Sequence, residues 1–189
     1  MGVCAIFYRL SEKNLVALQQ QPLLVYALLD MPVPKHRPAK GFLGRLLGLS
    51  VPVPPSEPAS LPEPRDANDV GDVDKAWQPI HYLLTGSTEE ETDHPLGFLC
   101  SGGMAVTEDL SFGPARVFTH AQVAVMVSEL TLLNRDILYQ RFIKRKWTGN
   151  RDEVKRDDYF DYTWHHFERM RNFFEEANLK KQGLLIYLC

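Results

Sequence analysis

Two apolar runs, one near each end of the chain, limit what this sequence can fold into more than any other feature. Val3-Cys4-Ala5-Ile6-Phe7-Tyr8 and Leu184-Leu185-Ile186-Tyr187-Leu188 carry no charge. Short uncharged runs rich in β-forming side chains suit strands covered on both faces. Strands drawn from both ends need the intervening chain to return and cover the sheet. The sequence therefore predicts an α+β fold: a single domain over residues 1–189, with a mixed β-sheet, strands at both termini, partly covered by helices. A chain of 189 residues can supply that cover, because a domain near this size hides about 70% of its unfolded surface.

The helices announce themselves by caps and spacing. Ser11 can cap a helix carrying Leu15, Val16 and Leu18, and Pro22 suits the first position of a shorter one over Leu23–Leu29. Asp74 is placed as the N-cap of a helix with Ala76, Trp77, Ile80, Leu83 and Leu84 that closes at Gly86, with Pro79 tightening its first turn. Thr119-His120-Ala121-Gln122 is a capping box, opening a helix whose Val123, Val127, Leu130 and Leu133 share a face. Ile137, Leu138 and Phe142 point to continuation or a second helix after Asn134. A longer helix over Asp157–Lys180 carries the stripe Phe160, Trp164, Phe167, Arg171 or Met170, and Phe174, and Gly183 ends it. Arg116-Val117-Phe118 reads as a strand, and Ser101-Gly102-Gly103 as a turn.

Nine of the thirteen prolines fall between Pro32 and Pro64, too close together for helix or sheet interior. Residues 31–71 are accordingly expected to be a proline-rich loop insertion. Cys4, Cys100 and Cys189 are odd in number and lack zinc or disulfide-framework spacing, which fits a reducing, cytoplasmic setting. No signal segment or apolar stretch of about 20 residues is present, so no membrane association is expected. A net charge of −3 with mixed signs gives no drive towards nucleic acid, and the basic cluster of Arg141, Lys144, Arg145 and Lys146 reads as a solvated helix face.

Candidate chemistry is sparse. Asp74, Trp77 and His81 are three and four residues apart and can share a helix face, with Lys75 beside them. Trp77 then offers a stacking wall and His81 a polar contact; equally, Asp74 caps, Lys75 faces water, and Trp77 and His81 fill the core. Arg116 follows the Gly113-Pro114 turn and can hold an anion together with backbone donors at Gly102 and Gly103, or serve an internal ion pair. Asp161, His165 and Glu168 face one way on a helix, but one helix cannot complete a metal site, and no metal or other cofactor is expected. Cys100 and Ser101 precede the glycine pair without a nucleophile elbow or an identifiable base, and Cys4 lies in a core strand.

Four segments also carry a resemblance. They are the opening strand from Met1-Gly2-Val3 to Tyr8; Asp74-Lys75-Ala76-Trp77 through His81-Tyr82-Leu83-Leu84-Thr85-Gly86; Phe112-Gly113-Pro114-Ala115-Arg116 with Thr119; and Leu185-Ile186-Tyr187. In this order they resemble the YfbM-like family of uncharacterised bacterial proteins. The region from Met31 to Asp69 is longer and richer in proline than that pattern, and the segment after Phe142 lacks its Asp-Pro. The resemblance implies a compact α+β fold and brings no activity, cofactor or catalytic residue. Function is therefore read from what the chain lacks: a non-enzymatic module that binds another protein, in the manner of an immunity or adaptor protein. The alternative is a small-molecule binder or enzyme with a pocket around the Asp74–Trp77 helix and Arg116. The first calls for a protein partner, the second for convergence of Asp74, Trp77, His81, Gly102, Gly103 and Arg116.

Overall fold

The computed structural model describes residues 2–33, 60–64, 66–89, 92–108, 110, 112–145 and 153–189. The terminal strands, β1 (Ala5–Leu10) and β5 (Gly183–Leu188), lie side by side at the centre of a five-stranded sheet. Beyond β1 runs β2 (Val70–Asp72), and beyond β5 run β4 (Arg116–Phe118) and then β3 (Met104–Ala105), giving the order β2-β1-β5-β4-β3. The α+β class and the terminal strands are as the sequence predicts. The mixed pairing is not, since every ladder among the described residues is antiparallel. The reason lies in how the last helix returns the chain: it delivers Gly183 opposite Leu10, so β5 runs back along β1 to bring Leu188 opposite Ala5.

Six α-helices are present among the described residues: α1 (Glu12–Gln20), α2 (Leu24–Leu28), α3 (Trp77–Thr85), α4 (His120–Thr131), α5 (Arg135–Lys144) and α6 (Glu153–Leu179). They divide between the sheet's faces by the period-two alternation of the strands. Ala5, Phe7, Phe118, Leu184, Ile186 and Leu188 join the larger core under α3, α4 and α6. Tyr8, Leu10, Val117 and Leu185 join a smaller one under α1 and α2. The predicted stripe on α6 is its contribution to the larger core, with Phe160, Phe167, Met170 and Phe174 buried and Trp164 packed beside them. Each such side chain is worth about 1.5–3 kcal/mol when fully buried.

Local chemistry sets the helix ends. Asn134 caps α5 by accepting from the Ile137 N–H at 2.9 Å, which ends the choice between one long helix and two. At α4 both halves of the capping box are made: Thr119 Oγ1 accepts from Gln122 N–H, and Gln122 Oε1 accepts from Thr119 N–H. Thr119→Ala is expected to cost about 0.5–2 kcal/mol in urea unfolding, with an unchanged m-value. Most of the predicted proline-rich insertion lies outside the described residues. Its last residues form a 3₁₀ turn (Ala67–Asp69) and the first part of β2.

Candidate functional site

The sequence-predicted residues fall into separate settings. Asp74 is not the helix cap. It opens a 3₁₀ turn (Asp74–Ala76), and α3 begins at Trp77 behind Ala76 with no side-chain cap. Asp72 Oδ1 accepts the Asp74 N–H at 3.0 Å and holds Asp74 left-handed, at φ 45°. Aspartate tolerates that conformation better than most residues. Its carboxylate thereby turns towards two donors, the Tyr162 hydroxyl on α6 at 3.0 Å and the Cys4 thiol at 3.4 Å. These bonds, Tyr162's first, hold the Asp74 carboxyl below its ordinary value. Burial, then the Asp74 carboxylate, pushes Tyr162 up to about 12, and burial followed by Asp74 raises Cys4. The thiol is held protonated beside the carboxylate, so in the reduced protein this cluster joins β1, the turn and α6.

Around it, Lys75 is exposed, while Trp77 and His81 are buried. His81 Nε2–H donates to the Glu89 carbonyl at 2.9 Å. His166, against Tyr162 with ring centroids 4.6 Å apart, is also buried. Burial first, then the Arg169 and His165 charges, hold its imidazole below its ordinary value.

Both depressed groups destabilise the fold in acid, since the unfolded chain binds protons more readily than the folded one. His166's contribution is whole above its ordinary 6.5 and declines below it. Asp74's is whole above 3.8 and is lost as pH falls through its lower folded value. Stability measured from about pH 8 down to about pH 3 is expected to fall in two segments. His166→Phe should flatten the upper segment and Asp74→Asn should shallow the lower one.

Arg116 Nη1–H donates to the Gly102 carbonyl at 3.0 Å, pinning the glycine turn to β4. Gly102 and Gly103 are left-handed, at φ 73° and 58°. A side chain at Gly103 would press its Cβ to 2.7 Å from the Val117 carbonyl oxygen and 2.9 Å from the Phe118 ring. This close approach lets the turn lie along β4 and form one wall of a groove of about 550 Å³. Phe98, Phe118 and Met126 supply its apolar floor, and Thr92, His94 and Gln122 supply polar positions around it. Its lining includes both glycines but not Asp74, Trp77, His81 or Arg116.

His94 Nδ1 accepts the Leu96 N–H at 3.1 Å, which leaves its Nε2–H to donate. Ser101's single hydroxyl proton is shared between the Thr92 and Gly97 carbonyls, at 2.8 and 3.1 Å, and so braces the loop. On α4, Val125 borders the groove with 55% of its surface exposed. Its signal in the sequence is an apolar residue off the stripe of Val123, Val127 and Leu130. Asp161, the first member of the one-helix metal reading, bonds the Arg135 guanidinium instead.

Fold and groove together define an antiparallel α+β domain with an accessible hollow lined by a glycine turn and one helix flank. The chain belongs to the family described as Domain of unknown function (DUF1877), which it matches over residues 1–187. Its fold is similar to that of the crystal structure of YfbM from Escherichia coli, a protein of unknown function. The two share 15% identity over 98% of this chain and 99% of that one, with a TM-score of 0.63. The YfbM-like resemblance is thus shared by sequence family and fold. No curated protein matches the chain. No helix among the described residues is long and apolar enough to cross a membrane.

Proposed function

We propose that this protein is a binding module that takes an apolar segment of a partner protein into the groove between the Gly102–Gly103 turn and α4. One observation carries the reading: an open hollow of about 550 Å³ with an aromatic and methionine floor, polar positions around it and Val125 exposed at its edge. An apolar centre inside a polar rim is the anatomy of protein interfaces. His94, with Nε2–H free to donate, adds a directional contact at the rim. Asp74 and Tyr162, shifted in opposite directions by their mutual hydrogen bond and by burial, lie outside the groove's lining and are spent on each other, which favours binding over catalysis.

A photo-crosslinking residue at position 125 tests this in cell extract. Position 16 is the control, because Val16 is also an exposed apolar residue but sits on α1, over the other face of the sheet. A discrete adduct from 125 alone is the expected result. Equal adducts from both positions, or none from 125, would remove the reading.

A further inference from the structure

The two ends of the central strand pair bring together two cysteines that widely spaced positions in the sequence do not connect. Cys4 and Cys189 lie one residue outside β1 and β5, where they exchange backbone bonds: Cys4 N–H to the Cys189 carbonyl at 2.7 Å, and Cys189 N–H to the Cys4 carbonyl at 2.9 Å. This reciprocal pair continues the register Ala5↔Leu188 and Ile6↔Tyr187. Opposed residues of an antiparallel ladder put their side chains on the same face, with Cα atoms about 5.5 Å apart in a bonded pair. That separation falls within the range disulfides span, about 4.4–6.8 Å. Both cysteines are free thiols; Cys4 is half-buried and Cys189 exposed.

We infer that Cys4 and Cys189 form a reversible cross-strand disulfide under peroxide, making this end of the β1–β5 pair a redox modification site. The exposed Cys189 sulfur attacks a peroxide oxygen; the O–O bond breaks, giving a sulfenic acid and one water. The Cys4 sulfur then attacks the Cys189 sulfur, the S–O bond breaks, and a second water leaves. Two thiols and one hydrogen peroxide thus become one disulfide and two waters, both thiol protons ending in water.

Two features make the bond reversible rather than a permanent staple. Cβ atoms of a bonded antiparallel pair lie near the wide end of about 4.5–5.5 Å, beyond the disulfide mean of about 3.8 Å. Closure therefore has to draw the two residues together and leaves a strained bond that thiols reopen readily. The Cys4 thiol also donates to Asp74, so closure takes that donor from the carboxylate. Oxidation is felt at the Asp74–Tyr162 pair and hence at the junction between the sheet and α6.

The test uses the full chain, treated with stoichiometric hydrogen peroxide, alkylated, digested and mapped by mass spectrometry. The expected product is one peptide pair joining Cys4 to Cys189, with Cys100 still alkylated. It should disappear in Cys4→Ser and Cys189→Ser, persist in Cys100→Ser and revert with dithiothreitol. The oxidised protein should melt at a higher temperature than the reduced one, a shift absent from Cys4→Ser. Full alkylation of both residues after peroxide, stable oxyacids on Cys189, or disulfides only between molecules would overturn the inference.

Discussion

Replacing Phe174 by alanine is expected to remove about 3–5 kcal/mol of stability. Phe174 is fully buried where α6 crosses the sheet. Its ring meets Phe7 of β1 edge-on, with centroids 5.3 Å apart, and Phe98 of the groove loop at 5.2 Å. Truncation opens a cavity among three separate parts of the chain, so no one of them can move in to fill it. Against a typical total of about 5–15 kcal/mol, the variant would sit near the edge of unfolding at room temperature. Phe174→Leu keeps most of the volume and should retain most of the stability. Urea unfolding of the two variants separates the outcomes: a loss below about 1 kcal/mol for Phe174→Ala would mean the contact is not a central one.

The second large effect is expected at Arg9. Its side chain is only 3% exposed, yet it lies on the face of β1 that carries Phe7. The guanidinium is matched group by group: Nε–H to Asp69 at 3.1 Å, Nη1–H to Glu176, Nη2–H to the Asn68 carbonyl, and its Cζ 4.7 Å from the centre of the Phe173 ring. Asp69 and Asn68 lie in the 3₁₀ turn before β2, and Glu176 and Phe173 on α6, so one cation ties the edge strand and the long helix to the sheet. Arg9→Met should cost about 2–4 kcal/mol. The figure stays below that for a fully buried network because Glu176 is 58% exposed and can return to water. Arg9→Lys keeps the charge but cannot reproduce the fork, so it should lose stability too. Thermal unfolding of Arg9→Met, Arg9→Lys and Glu176→Gln checks the order: the first most damaging, the last least. A lysine variant as stable as the parent would show that charge alone suffices.

These residues also show how far the sequence could be read. The terminal strands, the Thr119–Gln122 box, the α6 stripe and the closure of α3 at Gly86 rest on nearest-neighbour chemistry, which linear spacing records. What it does not record is which distant groups meet. β2 has only three residues and no apolar pattern of its own; it exists because Val70–Asp72 finds the free edge of β1. Asp74 carries the signature of a cap, but Asp72 two residues earlier and Tyr162 on α6 together override that local preference. The predicted partnership of Asp74, Trp77 and His81 with Arg116 does not gather around the groove, whose lining includes none of the four. Arg9 left one trace, a charge in phase with Phe7 just past an apolar run. Its acceptors, however, are about 60 and 167 residues away in the chain.

The groove is half legible. Gly102 and Gly103 mark a turn, which they form at positive φ, but their neighbours His94, Val125 and Met126 are assembled only by the fold. A partner held in an apolar groove should remain bound at high ionic strength, whereas one held by exposed charge would be released. The decisive measurement is calorimetric titration of the purified partner captured at position 125 against the parent protein, Val125→Glu and Val16→Glu, at low salt and at about 1 M salt. We predict at least about a tenfold loss of affinity for Val125→Glu, none for Val16→Glu, and binding that survives the high salt. Equal affinity for all three proteins, or release of the partner by salt, would contradict the assignment of this groove as the recognition surface.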